Sequence, residues 1–288
     1  MRVRLLALSL LLVAISCGGA ESHRLETERL RSTILEKSMP FSVLEPPACP
    51  AGMERQLHVV YLLHGYGGDH ATLDEQGASD RLFVAEAEGR IPHVYLVMPQ
   101  GERGFYLNWH DGSRRYEDYL VEEAIPAAER ALGLTIPRER RHIAGVSMGG
   151  YGALLVGLKH PEMFESIASI SGVIFDEKKA IEFVNSRLLD WRIDIRRMLG
   201  DGTDRAFLER ANPYSLVKAL APEKRPRLFV AAGTDEPDSL RLASSNFHEF
   251  LDREGVAHEW VAFQGGHNWK SWPPVVERAI AHAAQPAR

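Results

Sequence analysis

Residues 141–159 read RHIAGVSMGGYGALLVGLK, and the reading of this stretch decides the fold. Arg141 to Val146 is a short apolar run of strand length, and Gly149 to Lys159 is a small, apolar run of helix length closed by His160-Pro161. Between them lies Gly145-Val146-Ser147-Met148-Gly149, a G-x-S-x-G pattern at a strand-to-helix junction. A serine presented on a sharp, strained turn needs glycines two residues before and two after, because larger side chains would clash there. Gly150 and Gly152 extend the small surface, which lets the helix approach the strand closely. The pattern predicts a buried strand, a tight turn carrying Ser147, and a helix.

The same alternation extends in both directions. His58 to Leu63 is an apolar, β-branched run ended by the glycine-rich turn His64-Gly65-Tyr66-Gly67-Gly68. Further strand-like runs cover Phe41–Leu44, Val94–Met98, Ile167–Ser171, Leu228–Ala232 and His258–Phe263. Helical runs cover Tyr119–Leu132, with Pro126 marking a kink, then Ser239–Arg253 and Val275–Ala284. Strands that are apolar throughout and separated by helices predict an α/β domain with a mostly parallel central sheet and helices on both faces. Residues 175–220, which contain Trp191 and Asn212-Pro213, break the rhythm and read as a helical insertion. The expected organisation is a leader over 1–17, a polar, partly helical tether and lead-in over 18–40, and one domain over 41–288.

Composition removes several classes of function. Of 288 residues, 45% are hydrophobic and 25% charged, which excludes a disordered or fibrous chain. A net charge of −5 argues against a nucleic-acid partner. Cys17 and Cys49 cannot form a disulfide framework, and no paired Cys/His spacing marks a zinc site, so no metal or cofactor is expected. Arg2 and Arg4 precede an apolar run from Leu5 to Ile15 that ends in Ser16-Cys17-Gly18-Gly19, the make-up of a secretory signal peptide. That run is shorter than the roughly 20 residues a membrane-spanning helix needs. Ala14-Ile15-Ser16-Cys17 resembles a bacterial lipobox, which would attach a lipid anchor at Cys17, whereas Ala14-x-Ser16 equally suits ordinary cleavage. Both readings make the protein exported, either as a periplasmic or cell-surface lipoprotein or as a secreted one. With Cys17 lipidated, Cys49 stands alone; with simple cleavage, the two could pair.

A serine hydroxyl becomes a nucleophile when a base takes its proton, and the base must be oriented by a third group. The elbow architecture sets the chain order serine, acid, histidine. Gly265-Gly266-His267-Asn268-Trp269 directly follows the last strand and makes His267 the candidate base. The acid belongs after the strand Leu228–Ala232, where Asp235, Glu236 and Asp238 offer three carboxylates. Donors for a developing oxyanion are expected from the amide of Met148 and from the turn at Gly65-Tyr66. Of the other histidines, His64 is expected to order its turn, and His142 and His258 to serve packing or the surface. Asp69, His70 and His110 read as loop polarity and not as a metal cluster.

With those residues assembled, the chain resembles the esterase family of α/β-hydrolases, which includes feruloyl and acetylxylan esterases, tributyrin-type carboxylesterases, S-formylglutathione hydrolases and mycolyltransferases. The matching stretches are LLHGYGG (62–68), Asn108-Trp109 with EDYLVEEAIP (117–126), GVSMGGYGA (145–153), SISG (169–172) and GGHNW (265–269). The resemblance implies the α/β-hydrolase fold and hydrolysis of a carboxylic ester through an acyl-enzyme on Ser147, with no cofactor. It implies His267 as base, an acid within 235–238, and the amides of Tyr66 and Met148 as the oxyanion hole. Relatives place the acid about nine residues before an aromatic in the next helix; Asp238 stands nine before Phe247, so Asp238 is the expected acid. The family's work outside the cell points to carbohydrate or aryl esters as the small-molecule or carbohydrate-linked substrate. Trp109 and Trp269, with Tyr66, Tyr106 and Trp272, are candidate stacking surfaces for it, and the insertion 175–220 is the expected seat of selectivity. Two other readings stay open: acyl transfer to a sugar acceptor, and a non-catalytic binding relative, against which the intact Ser/His pair argues.

Overall fold

Eight strands form one sheet in the order β1-β2-β4-β3-β5-β6-β7-β8. They are β1 (Arg24–Ser32), β2 (Lys37–Glu45), β3 (His58–Leu63), β4 (Val94–Pro99), β5 (Arg141–Val146), β6 (Ser166–Ile170), β7 (Arg227–Gly233) and β8 (His258–Phe263). The computed structural model describes residues 24–46, 57–174, 176–185 and 194–285. Cys17, Cys49 and Trp191 lie outside the described residues. From β4 to β8 every neighbouring pair is parallel, whereas the β1–β2 and β2–β4 pairs are antiparallel, so β2 alone runs against the other seven strands. The chain therefore has the α/β-hydrolase fold that its alternating pattern predicts.

The helices are α1 (Thr72–Glu75), α2 (Ala78–Ala87), α3 (Tyr116–Asp118), α4 (Ile125–Ala131), α5 (Met148–Lys159), α6 (Glu177–Asn185), α7 (Ile195–Leu199), α8 (Arg205–Arg210), α9 (Pro213–Ala219), α10 (Asp238–Arg253) and α11 (Pro273–Ala283). Side-chain alternation along the strands feeds two cores. Val59, Tyr61 and Leu63 of β3 point to the face covered by α4, α5 and α10, which also takes Val184, Met198 and Val217 from the helices of 177–219. Val60 and Leu62 point to the other face, under α2 and α11. Helix α5 is apolar on every side because it lies between the sheet and α9; Met148 to Leu158 are all buried.

Parallel pairing has one consequence for the site. The C-terminal ends of β3, β5, β6, β7 and β8 lie along one edge of the sheet, so the five loops that follow them share that edge. Three elements differ from expectation. The described part of the lead-in is not helical: residues 24–32 form strand β1, paired with β2 over Arg24↔Glu45 to Ser32↔Lys37. Its polar alternation hid it, because an edge strand can carry charge where a central one cannot. Helices α1 and α2 fill 72–87, which the alternation pattern left blank. The run 119–132 begins as a π-helical stretch, Tyr119–Ala124, before α4, whose first turn holds Pro126, where a missing N–H costs least.

The β1–β2 turn is held from across the molecule by the Glu123 carboxylate. That carboxylate accepts hydrogen bonds from the Thr33 amide (2.8 Å), the Thr33 hydroxyl (2.6 Å), the Ile34 amide (3.2 Å) and the Ser32 hydroxyl (2.5 Å). Burial alone would raise its pKa, but the hydrogen bonds from Ser32, Thr33 and Ile34 outweigh it and hold the group below its ordinary range. A lowered folded-state pKa contributes stability above the ordinary Glu value of about 4.5, lost as pH falls through the lowered value. Glu123→Ala should therefore cost roughly 1–2 kcal/mol at pH 7, a modest figure because the site is largely solvated. Thermal denaturation of native and variant protein from pH 7 to pH 3 checks this: the Tm gap should close toward pH 3, and a gap constant with pH would contradict it.

Candidate active site

Ser147 links β5 to α5 with φ 55° and ψ −117°, a left-handed region that non-glycine residues occupy at a cost of about 1–3 kcal/mol. The turn is pinned on both sides. Its amide donates to the Ile170 carbonyl at the end of β6 (2.9 Å), and its carbonyl accepts from the Tyr151 amide (3.1 Å). The flanking glycines are required by space. A Cβ on Gly145 would collide with the Gly149 backbone, and one on Gly149 with the carbonyls of Leu63 and His64. The spacing G-x-S-x-G thus records two close backbone approaches, strand to helix and helix to the neighbouring strand.

His267, on the loop after β8, reaches back over the sheet edge until its Nε2 lies 2.8 Å from Ser147 Oγ. Its Nδ1 faces Glu236 Oε2 at 3.6 Å, and neither atom has a hydrogen-bond partner among the described residues. Glu236 is buried, with its side chain 0% exposed. Its other oxygen, Oε1, accepts from the Ser171 hydroxyl and from the Gly233 amide (3.2 Å). Ser171, itself at φ 53°, accepts in turn from Trp272 Nε1 (3.0 Å). The Trp272 ring stands edge-on to the His267 ring, with centroids 5.0 Å apart. The two loops are also tied by backbone: the Thr234 amide donates to Phe263 O (2.8 Å) and the Asp235 amide to Gly265 O (2.9 Å).

This corrects the expected acid. Asp238 does not face His267; it starts α10, its side chain is 80% exposed, and it pairs with Arg241 one turn along at 2.7 Å. Asp235 is also turned to solvent and holds Gln264 (2.7 Å). Glu236 wins because only its side chain points down from the turn after Gly233 into the slot between β6 and β8. Ser171 and Trp272 are site residues that sequence reading assigned no positioning role. The signal available for them was a serine ending the strand in SISG and a tryptophan five residues after the histidine.

Met148 is the first residue of α5, so its amide is among those a helix start leaves without an intrahelical acceptor. The Gly65 turn sits against the serine: a Cβ on Gly65 would lie 3.4 Å from Ser147 Cβ. His64 orders that turn as expected. Burial lowers its pKa, against the opposing pull of its hydrogen bonds to Gly65 and Gln100. The neutral ring donates from Nδ1 to the Gly65 carbonyl (2.8 Å), which also accepts the Gly68 amide (3.1 Å). Because a trans peptide is planar, fixing the Gly65 carbonyl turns the Tyr66 N–H to the opposite side.

These groups open into a cleft of about 790 Å³ lined by Tyr66, Asp69, Glu75, Ser147, His267 and Trp269 among others. Trp269 thus borders the cleft, but Trp109 does not. Trp109 is buried in the core, donates from Nε1 to Gly104 O (3.2 Å), and carries Arg114 and Arg197 against its ring at 5.1 and 5.6 Å. Tyr106 is likewise internal, its ring filling the hollow left by Gly101 and Gly152. His70 bonds Ser42 (2.7 Å) and His110 lies by Asp204 (3.4 Å), so Asp69, His70 and His110 do not converge.

The family model described as "Putative esterase" matches residues 32–282. The chain belongs to this esterase family. An acetyl esterase of Caldicellulosiruptor saccharolyticus is 29% identical over 232 residues, 78% of this chain and 82% of that protein. The esterase Rv1288 of Mycobacterium tuberculosis is 29% identical over 239 residues, 74% of this chain but only 49% of its own length. In three dimensions, the fluorophosphonate-binding serine hydrolase FphF of Staphylococcus aureus superposes with a TM-score of 0.75 at 21% identity, covering 92% of this chain and all of FphF. A ferulic acid esterase superposes at 0.74 with 23% identity, covering 91% and 98% of the two chains. The esterase is accordingly a carboxylic ester hydrolase.

Single substitutions of the three carboxylates separate their roles. An acid that holds the histidine tautomer is worth on the order of 10²- to 10⁴-fold in turnover. Glu236→Ala should lose that much, whereas Asp238→Ala and Asp235→Ala should stay within about twofold of native turnover. Loss in Asp238→Ala with Glu236→Ala intact would overturn the geometry described above.

Proposed function

We propose that the protein is an exported serine esterase that removes short acyl groups from polar, carbohydrate-like or aryl alcohols. The observation that carries this reading is the 2.8 Å contact between Ser147 Oγ and His267 Nε2 at a strained strand-to-helix turn. On this reading His267 takes the serine proton as Ser147 Oγ attacks the ester carbonyl. Glu236 keeps the histidine's Nδ1–H turned inward and stabilises the imidazolium that forms. The amides of Met148 and Tyr66 receive the oxyanion. The imidazolium then protonates the leaving alcohol, and water, activated by the same histidine, releases the acid and restores Ser147.

The cleft supports a short acyl group and a polar alcohol. Its lining combines the aromatic side chains of Trp269 and Tyr66 with the charged Asp69, Glu75 and Lys270, together with Gly65, Gly67 and Gly68. An aromatic side chain beside charged groups suits a sugar or aryl ring. The acetyl esterase relative is in keeping with this choice. Export rests on the basic start, the apolar run and the Cys17 pattern of the first residues, with a lipid anchor if Cys17 is acylated.

One assay in fractionated cells tests both parts. Hydrolysis of aryl acetate and acetylated xylan should appear outside the cytoplasm, fall steeply as the acyl chain lengthens past butyryl, and drop about 10⁴- to 10⁶-fold in Ser147→Ala. More than a tenth of native activity in the variant would remove Ser147 as nucleophile. Activity confined to the cytoplasm would remove export, and preference for long acyl chains would remove the substrate class.

A further inference from the structure

On the side of the sheet edge opposite the cleft, three metal-ligating side chains meet where α10 ends and β8 begins. His248 and Asp252 stand one helical turn apart on α10, and His258 is the first residue of β8. One ligand atom from each lies within 4.8 Å of the others. His248 Nδ1 is 2.7 Å from His258 Nε2, His258 Nε2 is 4.0 Å from Asp252 Oδ1, and His248 Nε2 is 3.6 Å from Asp252 Oδ2.

We propose that His248, Asp252 and His258 form a site for a divalent transition-metal ion of the zinc, nickel or copper type. Two features mark this cluster as more than a pair of stacked histidines. The first is the tautomer of His258. Its Nδ1 donates to the Val256 carbonyl (2.9 Å), and a carbonyl can only accept, so in the neutral ring Nε2 carries the lone pair and faces the cluster. A backbone carbonyl on the far nitrogen is the arrangement that fixes and strengthens a ligating imidazole. The second is rigidity. The His248 ring lies flat on Trp260, with centroids 4.5 Å apart and planes 6° from parallel, and the His258 side chain is only 4% exposed. Two of three ligands are therefore held before any ion arrives, while Asp252, 64% exposed, is free to swing.

The charges and protons balance simply. Without metal, His248 Nδ1–H donates to the His258 Nε2 lone pair. An ion entering between the rings takes both nitrogen lone pairs, and the His248 proton moves to Nε2, where Asp252 Oδ2 accepts it. Asp252 Oδ1 supplies the third ligand and a negative charge; water completes the shell. A tetrahedral ion at about 2.0–2.1 Å from nitrogen sets its ligands roughly 3.3 Å apart. The rings thus open by a little over half an ångström and the carboxylate closes by a similar amount. Imidazole donors favour zinc, nickel and copper over magnesium and calcium. Bound metal would staple the end of α10 to the start of β8 across Glu254–Ala257, a clamp on the element that ends in the His267 loop.

Calorimetric titration of zinc into chelator-stripped full-length protein tests the site. The expected result is one saturable site per chain, a Tm raised by zinc but not by magnesium, and no binding at that site in His248→Ala or His258→Ala. Asp252→Asn, at an exposed position that folding tolerates, should weaken binding about tenfold or more while ester hydrolysis stays near native. No saturable zinc binding would leave only a histidine–histidine hydrogen bond and overturn the proposal. Zinc affinity equal in native protein and in the variants His248→Ala and Asp252→Asn would place the ion elsewhere and overturn it too.

Discussion

The positive φ of Ser147 is the constraint on which the rest of the site depends. A backbone in that region returns to an ordinary conformation unless its surroundings forbid it. Here they forbid it through the β6 carbonyl that holds the serine amide, the α5 turn that holds its carbonyl, and two glycines whose neighbours leave no room for a Cβ. The buried, all-apolar α5 is what keeps those neighbours in place, because it is clamped between the sheet and α9. Energy stored at one residue is therefore balanced by burial across a whole helix. Its effect is to lift one hydroxyl out of the sheet edge with its direction fixed.

The partners of that hydroxyl arrive by topology. Parallel strands β3, β5, β6, β7 and β8 send the Gly65 turn, Ser147, Ser171, Glu236 and His267 to the same edge, although 203 positions separate Gly65's neighbour His64 from His267 in the chain. No single loop is long or elaborate. The precision comes from cross-ties: the Glu236 loop bonds the His267 loop through Asp235 and Gly265, and Ser171 joins Glu236 to Trp272, whose ring borders the histidine. A buried carboxylate needs hydrogen-bond donors; Ser171 and the Gly233 amide supply them at Oε1, leaving Oε2 facing the histidine.

The legible and illegible parts of this protein divide by range of interaction. The meeting of Ser147 and His267 is legible because each sits in a local pattern with a physical reason, a glycine-flanked turn and a glycine-led loop after the last strand. The parallel core strands were legible because burial on both faces forces continuous apolar runs. Glu236 was not, since three carboxylates crowd four positions and only the pleat of β7 and the waiting Ser171 hydroxyl decide which one turns inward. The nine-residue spacing from Asp238 to Phe247 reports helix register and not the turn preceding the helix. Strand β1 was hidden for a similar reason: its alternation RLETERLRS is polar enough for solvent, and what holds it, β2 and the Glu123 carboxylate, lies far along the chain. Trp109 is the opposite case. An aromatic beside a matching motif suggests a substrate surface, but two arginines and the Gly104 carbonyl bind it within the fold.

The claim at the centre is that Ser147 is an activated nucleophile made so by its turn and by His267. Intact-mass and peptide-mapping spectrometry after brief exposure of folded protein to a fluorophosphonate measures that directly, independently of any substrate. One adduct per chain, on the peptide carrying Ser147 and absent when the protein is unfolded before labelling, is the expected result. No adduct on the folded protein, or a stoichiometric adduct on any other residue, would contradict it.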